Sequence, residues 1–122
     1  MDSIAGMIER EVLSWAGASA EPHRFGGVEF RVNHHEIGHL HGNRQADLPF
    51  PLRVRRELVA SERASLHHIL PDTGWVTYYI KGYKDVPAVV ELFRLNYDRL
   101  TVPRPAGAAE TVKGRPGDGS NV

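Results

Sequence analysis

The chain has no cysteine, no apolar run long enough to span a bilayer and no net charge, and each absence excludes a class of function. Without thiols there can be no disulfide, thiolate metal centre or cysteine nucleophile, and a reducing, cytoplasmic setting is the expectation. Without a long apolar run, no transmembrane helix and no membrane partner are expected. Fifteen Lys and Arg balance fifteen Asp and Glu, so no overall field attracts a polyanion, and nucleic acid is not an expected partner. Asp2, Glu9 and Glu11 interrupt the apolar residues between Met1 and Trp15, so this stretch reads as structure and not as a targeting segment. Glycine-rich phosphate loops, a GxSxG nucleophile elbow and a zincin helix are missing as well.

The 122 residues have room for one modest core. Ile4, Ile8, Val12 and Trp15 recur at helical spacing behind Ser3 or Asp2 as a cap. Three short strands are predicted next: His23 to Phe25; Val28 to Val32, with Phe30 pointing inward; and Glu36 to His41, after a tight turn at Asn33-His34. Gln45 to Pro51, with two prolines, reads as irregular, with Asp47 placed to cap a helix from Pro51 to Ala60. The runs Leu66 to Leu70 and Trp75 to Ile80 flank Pro71-Asp72-Thr73-Gly74 and suggest a hairpin. Val86, Val89, Val90, Phe93, Tyr97 and Leu100 mark a last helix, capped by Asp85 with Pro87 in its first turn. The expected order is α-β-β-β-α-β-β-α. The expected class is α+β, an antiparallel sheet with helices packed on one face and the other face open for a ligand or partner. Residues 1–100 form this one domain. In 101–122, proline and glycine abound and large apolar residues are few, so a disordered tail is expected.

Seven histidines are present, and His34, His35, His39 and His41 crowd into eight positions. His39 and His41 are alternate residues of one strand and project from one face, roughly 7 Å apart at Cβ by twice the strand rise. Such a pair can hold a divalent transition metal, with His67 or His68 as a third donor and Asp47 or Glu36 as an oxygen ligand or supporting partner. The same pattern also suits polar residues on a solvated sheet face, or neutral imidazoles in acid–base and hydrogen-bonding roles. Of the adjacent pair His67 and His68, only one can face each side of a strand. Trp75 reads either as a core residue or as a stacking wall beside the histidines. The candidate ligand-binding set is therefore His39, His41, His67, His68, Asp47 and Trp75, with His39 and His41 as the metal pair and a small molecule as the expected partner. Arg53, Arg55, Arg56 and Arg63 lie beside Glu57 and Glu62, which fits a solvated helix face.

The runs His23-Arg24-Phe25-Gly26-Gly27-Val28-Glu29-Phe30, Glu36-Ile37-Gly38-His39-Leu40-His41-Gly42, Asp47-Leu48-Pro49-Phe50-Pro51 and His67-His68-x-x-Pro71-Asp72-x-Gly74-Trp75-Val76 resemble the small bacterial luciferase-family, or luciferase-domain, proteins. The resemblance covers roughly residues 8 to 100 and implies no particular activity, substrate or cofactor. The flavin-dependent barrel luciferases need a far longer chain. The C-terminal half, with its Trp-bearing strand and Asn96-Tyr97 near the end of a helix, more faintly resembles the MmcQ/YjbR-like proteins. That likeness implies helices on one antiparallel sheet and raises the alternative of a protein- or nucleic-acid-interaction module without chemistry.

Overall fold

The computed structural model describes residues 2–102, apart from the side chain of Phe25. Among the described residues, three helices and six strands follow one another along the chain. Helix α1 (Ile4–Leu13) begins where the Ser3 hydroxyl accepts the Gly6 amide at 2.9 Å, and Ile8 and Val12 bury its inner face. Then come β1 (Ser19–His23), β2 (Gly27–Val32), β3 (His35–His41) and β4 (Gln45–Pro49), followed by α2 (Leu52–Ala60), β5 (Ser65–Leu66), β6 (Trp75–Tyr79) and α3 (Val86–Thr101). The strands form one antiparallel sheet in the order β1-β2-β3-β4-β6-β5. The α+β class and the order of the predicted elements hold, with one strand added.

That strand is β4, in the stretch read as irregular. Its prolines do no harm because Pro49 is the last residue of the strand and Pro51 lies beyond it. Ala46 and Leu48 face the core, while Gln45 and Asp47 face the other way. Asp47 is therefore not a helix cap, and α2 starts after Pro51 with no side-chain cap. The first strand is Ser19–His23 and not His23 to Phe25, since Arg24–Gly26 coils into a short 3₁₀ turn. The predicted hairpin shrinks to two residues of β5, which pair with Thr77 and Val76. Asp85 precedes α3, but its carboxylate accepts from Tyr78 OH and the Lys81 amide and does not cap the helix. Asn33 and His34 have φ of 52° and 67°, as the tight turn requires. Of the predicted tail 101–122, Thr101 closes α3, and residues 103–122 lie outside the described region.

The core lies between the helices and one sheet face. Phe30, Ile37, Leu40, Leu48 and Val76 from the sheet meet Ile8, Leu58, Val89 and Phe93 from the helices. Phe30 and Phe93 pack edge to face at 5.3 Å, an arrangement worth about 0.5–1.5 kcal/mol beyond simple burial. One irregularity matters for the open face. Phe30 pairs with Gly38 but Arg31 pairs with Glu36, so Ile37 is an extra residue in β3. The Ile37 side chain joins the core, and its carbonyl accepts from the buried Asn96 Nδ2 of α3 at 2.8 Å. A Cβ on Gly38 would lie 2.8 Å from the Asp47 carbonyl oxygen and 2.9 Å from Phe93, so the bulge admits only glycine. Among the described residues, no helix is long and apolar enough to cross a membrane.

Candidate functional site

The bulge determines which side chains share the open face. In a regular strand Glu36 and His39 would point to opposite sides. The extra residue shifts the phase, and Glu36, His39 and His41 all face away from the helices. Opposite them on β4 stand Asp47 and Gln45, paired in register with His39 and His41. Thr77 follows on β6, paired with Asp47.

Asp47 is the hub. It is 1% exposed, and its oxygens receive nearly every donor nearby. The Thr77 hydroxyl donates to Oδ1 at 2.7 Å, and Gln45 Nε2 donates to Oδ2 at 3.1 Å. His39 Nε2 and His41 Nε2 both lie 3.2 Å from Oδ2, and His67 Nε2 lies 3.8 Å from Oδ1. Burial alone would raise the Asp47 pKa, but the hydrogen bonds from His39 and Thr77 outweigh it and hold the carboxyl at about 2. On the far side of His39, Nδ1 meets Glu36 Oε2 at 2.7 Å. Burial disfavours the charged ring, yet the hydrogen bonds to Asp47 and Glu36 prevail and raise its pKa to about 9. His39 is thus an imidazolium clamped between two carboxylates. For His41 the balance falls the other way: burial and then the neighbouring His39 charge lower its pKa. Burial also lowers that of His67, against the pull of Asp47.

His67 and His68 are not on a strand. The His67 Nδ1 accepts the amides of Ile69 and Leu70, each at 3.1 Å, and this turn ends β5 at Leu66. Freed from strand alternation, both rings reach the same cavity, stacked on each other at 4.5 Å. The expectation that only one of them could join the cluster is corrected accordingly. Trp75 is buried against His39 and His67, with ring centroids at 5.4 and 5.9 Å, and serves as a wall of the cavity.

All six predicted residues therefore line one cavity of about 550 Å³. Its rim includes Ile69 and Leu70, exposed at 70% and 38%. His34 and His35 do not belong to it: His34 sits in the β2–β3 turn and His35 at the start of β3. Sequence reasoning missed His23, whose ring stacks on His39 at 4.0 Å and whose Nδ1 lies 3.3 Å from Glu29, itself ion-paired with Arg31. It also missed Gln45, Thr77, Glu29 and Arg24. No spacing rule connects these residues, because four strands and a 3₁₀ turn bring them together. One signature counted as missing is present in the sequence, though not on a helix. His35-Glu36-Ile37-Gly38-His39 spells H-E-x-x-H, which on a helix would aim both histidines at one zinc ion. On the bulged β3 it leaves His35 outside the cavity and binds Glu36 to His39 instead. A second groove, about 440 Å³ between α2 and the end of α3, contains none of the predicted site residues.

Compared with known families, the chain matches the Luciferase domain over residues 34–96, just over half of its 122 residues. The chain belongs to the luciferase-domain family. The matched stretch contains the bulge and all six predicted site residues; His23, Arg24 and Glu29 lie before it. No curated protein and no solved structure gives a match.

Proposed function

We propose that this luciferase-domain protein binds a small organic molecule in the cavity on the open sheet face. The observation that carries the reading is a cluster of four buried or half-buried charged and imidazole groups, Glu36, His39, His41 and Asp47, lining a cavity of about 550 Å³. That volume is within the range of small-molecule sites, roughly 300–1,000 Å³, and the wall has their mixed character. Trp75, Ile69 and Leu70 supply apolar surface, and the imidazoles supply a few fixed polar groups. Groups whose proton affinities diverge this far concentrate at functional sites.

The test is a ¹H–¹⁵N NMR screen of fragment-sized carboxylates, ketones and aromatics, followed at the Trp75 indole and the histidine rings. Fragments are expected to shift these resonances in the wild type and not in His39→Leu/His41→Leu. A screen that leaves them unmoved would sink the proposal.

Metal coordination by His39 and His41 is the second reading. It is favoured by the convergence of both Nε2 atoms on one oxygen of Asp47. The groups His23, His39, His41 and Asp47, His67, His68 also each offer donor atoms within 4.8 Å of one another. It requires His39 to give up an Nε2 proton held with a pKa of about 9 and His67 to reverse the tautomer its amide contacts impose. Calorimetric titration with zinc, nickel and copper ions at pH 7 should therefore give negligible heat, equal in wild type and in His39→Ala/His41→Ala. Tight binding lost in the double variant would establish the metal reading in place of the first.

A further inference from the structure

Two imidazoles flank the Asp47 carboxylate, each with its Nε2 nearer to it and its proton on that nitrogen, but they differ in which nitrogen is left without a hydrogen bond. His41 approaches Oδ2 through Nε2 at 3.2 Å, and a carboxylate that stays ionised can only accept, so Nε2 carries the proton. The other ring nitrogen, Nδ1, keeps its lone pair and has no hydrogen bond among the described residues. The ring is about one-third exposed, and its exposure is to the cavity. Burial and the His39 charge keep it neutral near pH 7. His67 is held in the same tautomer, but through its other nitrogen. Its Nδ1 accepts two backbone amides, so its Nε2 must carry the proton in the neutral ring. That N–H stands 3.8 Å from Asp47 Oδ1, beyond hydrogen-bond length. The cavity therefore presents one lone pair and one N–H donor. His39 can act as neither, because both of its nitrogens are engaged by carboxylates.

We propose that His41 Nδ1 is a general base oriented by Asp47, that His67 Nε2–H donates to a developing oxyanion, and that together they deprotonate a carbon acid adjacent to a carbonyl. This inference rests on the reading that the cavity binds a small molecule. In the step, the substrate C–H bond breaks and an N–H bond forms on His41 Nδ1. The released pair becomes the C=C bond of an enolate, and the carbonyl π pair moves onto oxygen, where His67 donates. The His41 imidazolium is then paired with Asp47 and returns its proton to carbon, so no oxidant, reductant or co-reactant is consumed. The wall offers neither a thiol nor a free hydroxyl nucleophile. The chain has no cysteine, and the Thr77 hydroxyl is committed to Asp47.

The experiment follows hydrogen–deuterium exchange at the α-carbon of 2-oxobutyrate and of cyclohexanone by ¹H NMR in D₂O, with an equal concentration of free imidazole as reference. Wild-type protein is expected to accelerate exchange of at least one probe. His41→Gln should remove about 100-fold or more of that acceleration, and His67→Gln a comparable share, with both variants keeping the wild-type backbone amide spectrum. Acceleration that survives in His41→Gln would overturn the assignment. A shift of the Trp75 indole by a probe without exchange would overturn the chemistry and leave the pocket standing. If neither probe shifts the indole or exchanges, both readings fail for carbonyl compounds. Independently of any probe, ¹⁵N spectra of the histidine rings should show His41 as a neutral Nε2–H tautomer at pH 7. Finding it cationic, or protonated on Nδ1, would overturn the proposal outright.

Discussion

His39 and Asp47 hold each other in charged forms that neither would keep if buried alone. Truncating one partner leaves the other charge buried without its principal counter-charge on that side, at a cost of up to about 3–5 kcal/mol. Asp47→Ala should lower unfolding stability by up to that amount, measured by urea denaturation at pH 7. The pair also determines how stability varies with pH. His39 has a folded pKa of about 9 against 6.5 unfolded, so its contribution is complete below pH 6.5 and is lost as the pH rises through 9. Asp47 is depressed from 3.8 to about 2, so its contribution is complete above pH 3.8 and is lost as the pH falls through 2. His41 and His67 are lowered, so folding favours their neutral forms, and they withdraw stability as the pH drops below 6.5. Thermal melts should peak near pH 6.5 and decline on the alkaline side. His39→Gln should flatten the alkaline decline and, because the His39 hydrogen bond and charge also act on Asp47, His41 and His67, weaken the acid-side dependence too; an unchanged alkaline limb would show that His39 does not titrate as described.

The element that sets the geometry is β3 with its bulge, and the anchor of that bulge lies on a helix. Asn96 Nδ2 takes the Ile37 carbonyl, the bulge turns Glu36 toward His39, and Glu36 holds His39 charged. Asn96→Leu leaves the Ile37 carbonyl buried without its donor, a loss of about 1–3 kcal/mol. It should also drop the His39 pKa toward 6.5, read by NMR titration of the ring, whereas a change in packing alone would leave that pKa in place. This chain of causes explains what could be read in advance. Helices α1 and α3 were legible because Ile8 with Val12 and Val89 with Phe93 recur at helical spacing, and β2 because Val28, Phe30 and Val32 alternate. The H-x-H pair was legible for the same reason, period two along one strand. Strand β4 was not, because Gln45-Ala46-Asp47-Leu48-Pro49 contains no β-branched or aromatic residue and is stabilised by its two neighbouring strands. His23 was not, because its place beside His39 depends on the pairing of β1 with β2 and of β2 with β3. The shared orientation of His67 and His68 was hidden because a side chain, through the His67 Nδ1 contacts, breaks the strand that the sequence pattern extends.

At the scale of the whole molecule the sheet divides stability from chemistry. One face carries the apolar core with all three helices; the other carries the carboxylates and imidazoles of the cavity. Buried ion clusters replaced entirely by well-packed apolar side chains are often neutral or stabilising by about 1–4 kcal/mol, in contrast to the loss from breaking one partner. The triple variant Glu36→Leu/His39→Leu/Asp47→Leu should therefore melt at or above the wild-type temperature while losing fragment binding and α-carbon exchange. Protein stability and site function would then move in opposite directions, as expected where a site is maintained at the expense of packing. A triple variant as destabilised as Asp47→Ala would instead make the cluster part of what holds the sheet together, and the open face a structural surface. The comparison of single and triple variants by thermal denaturation decides between these outcomes without knowledge of the ligand.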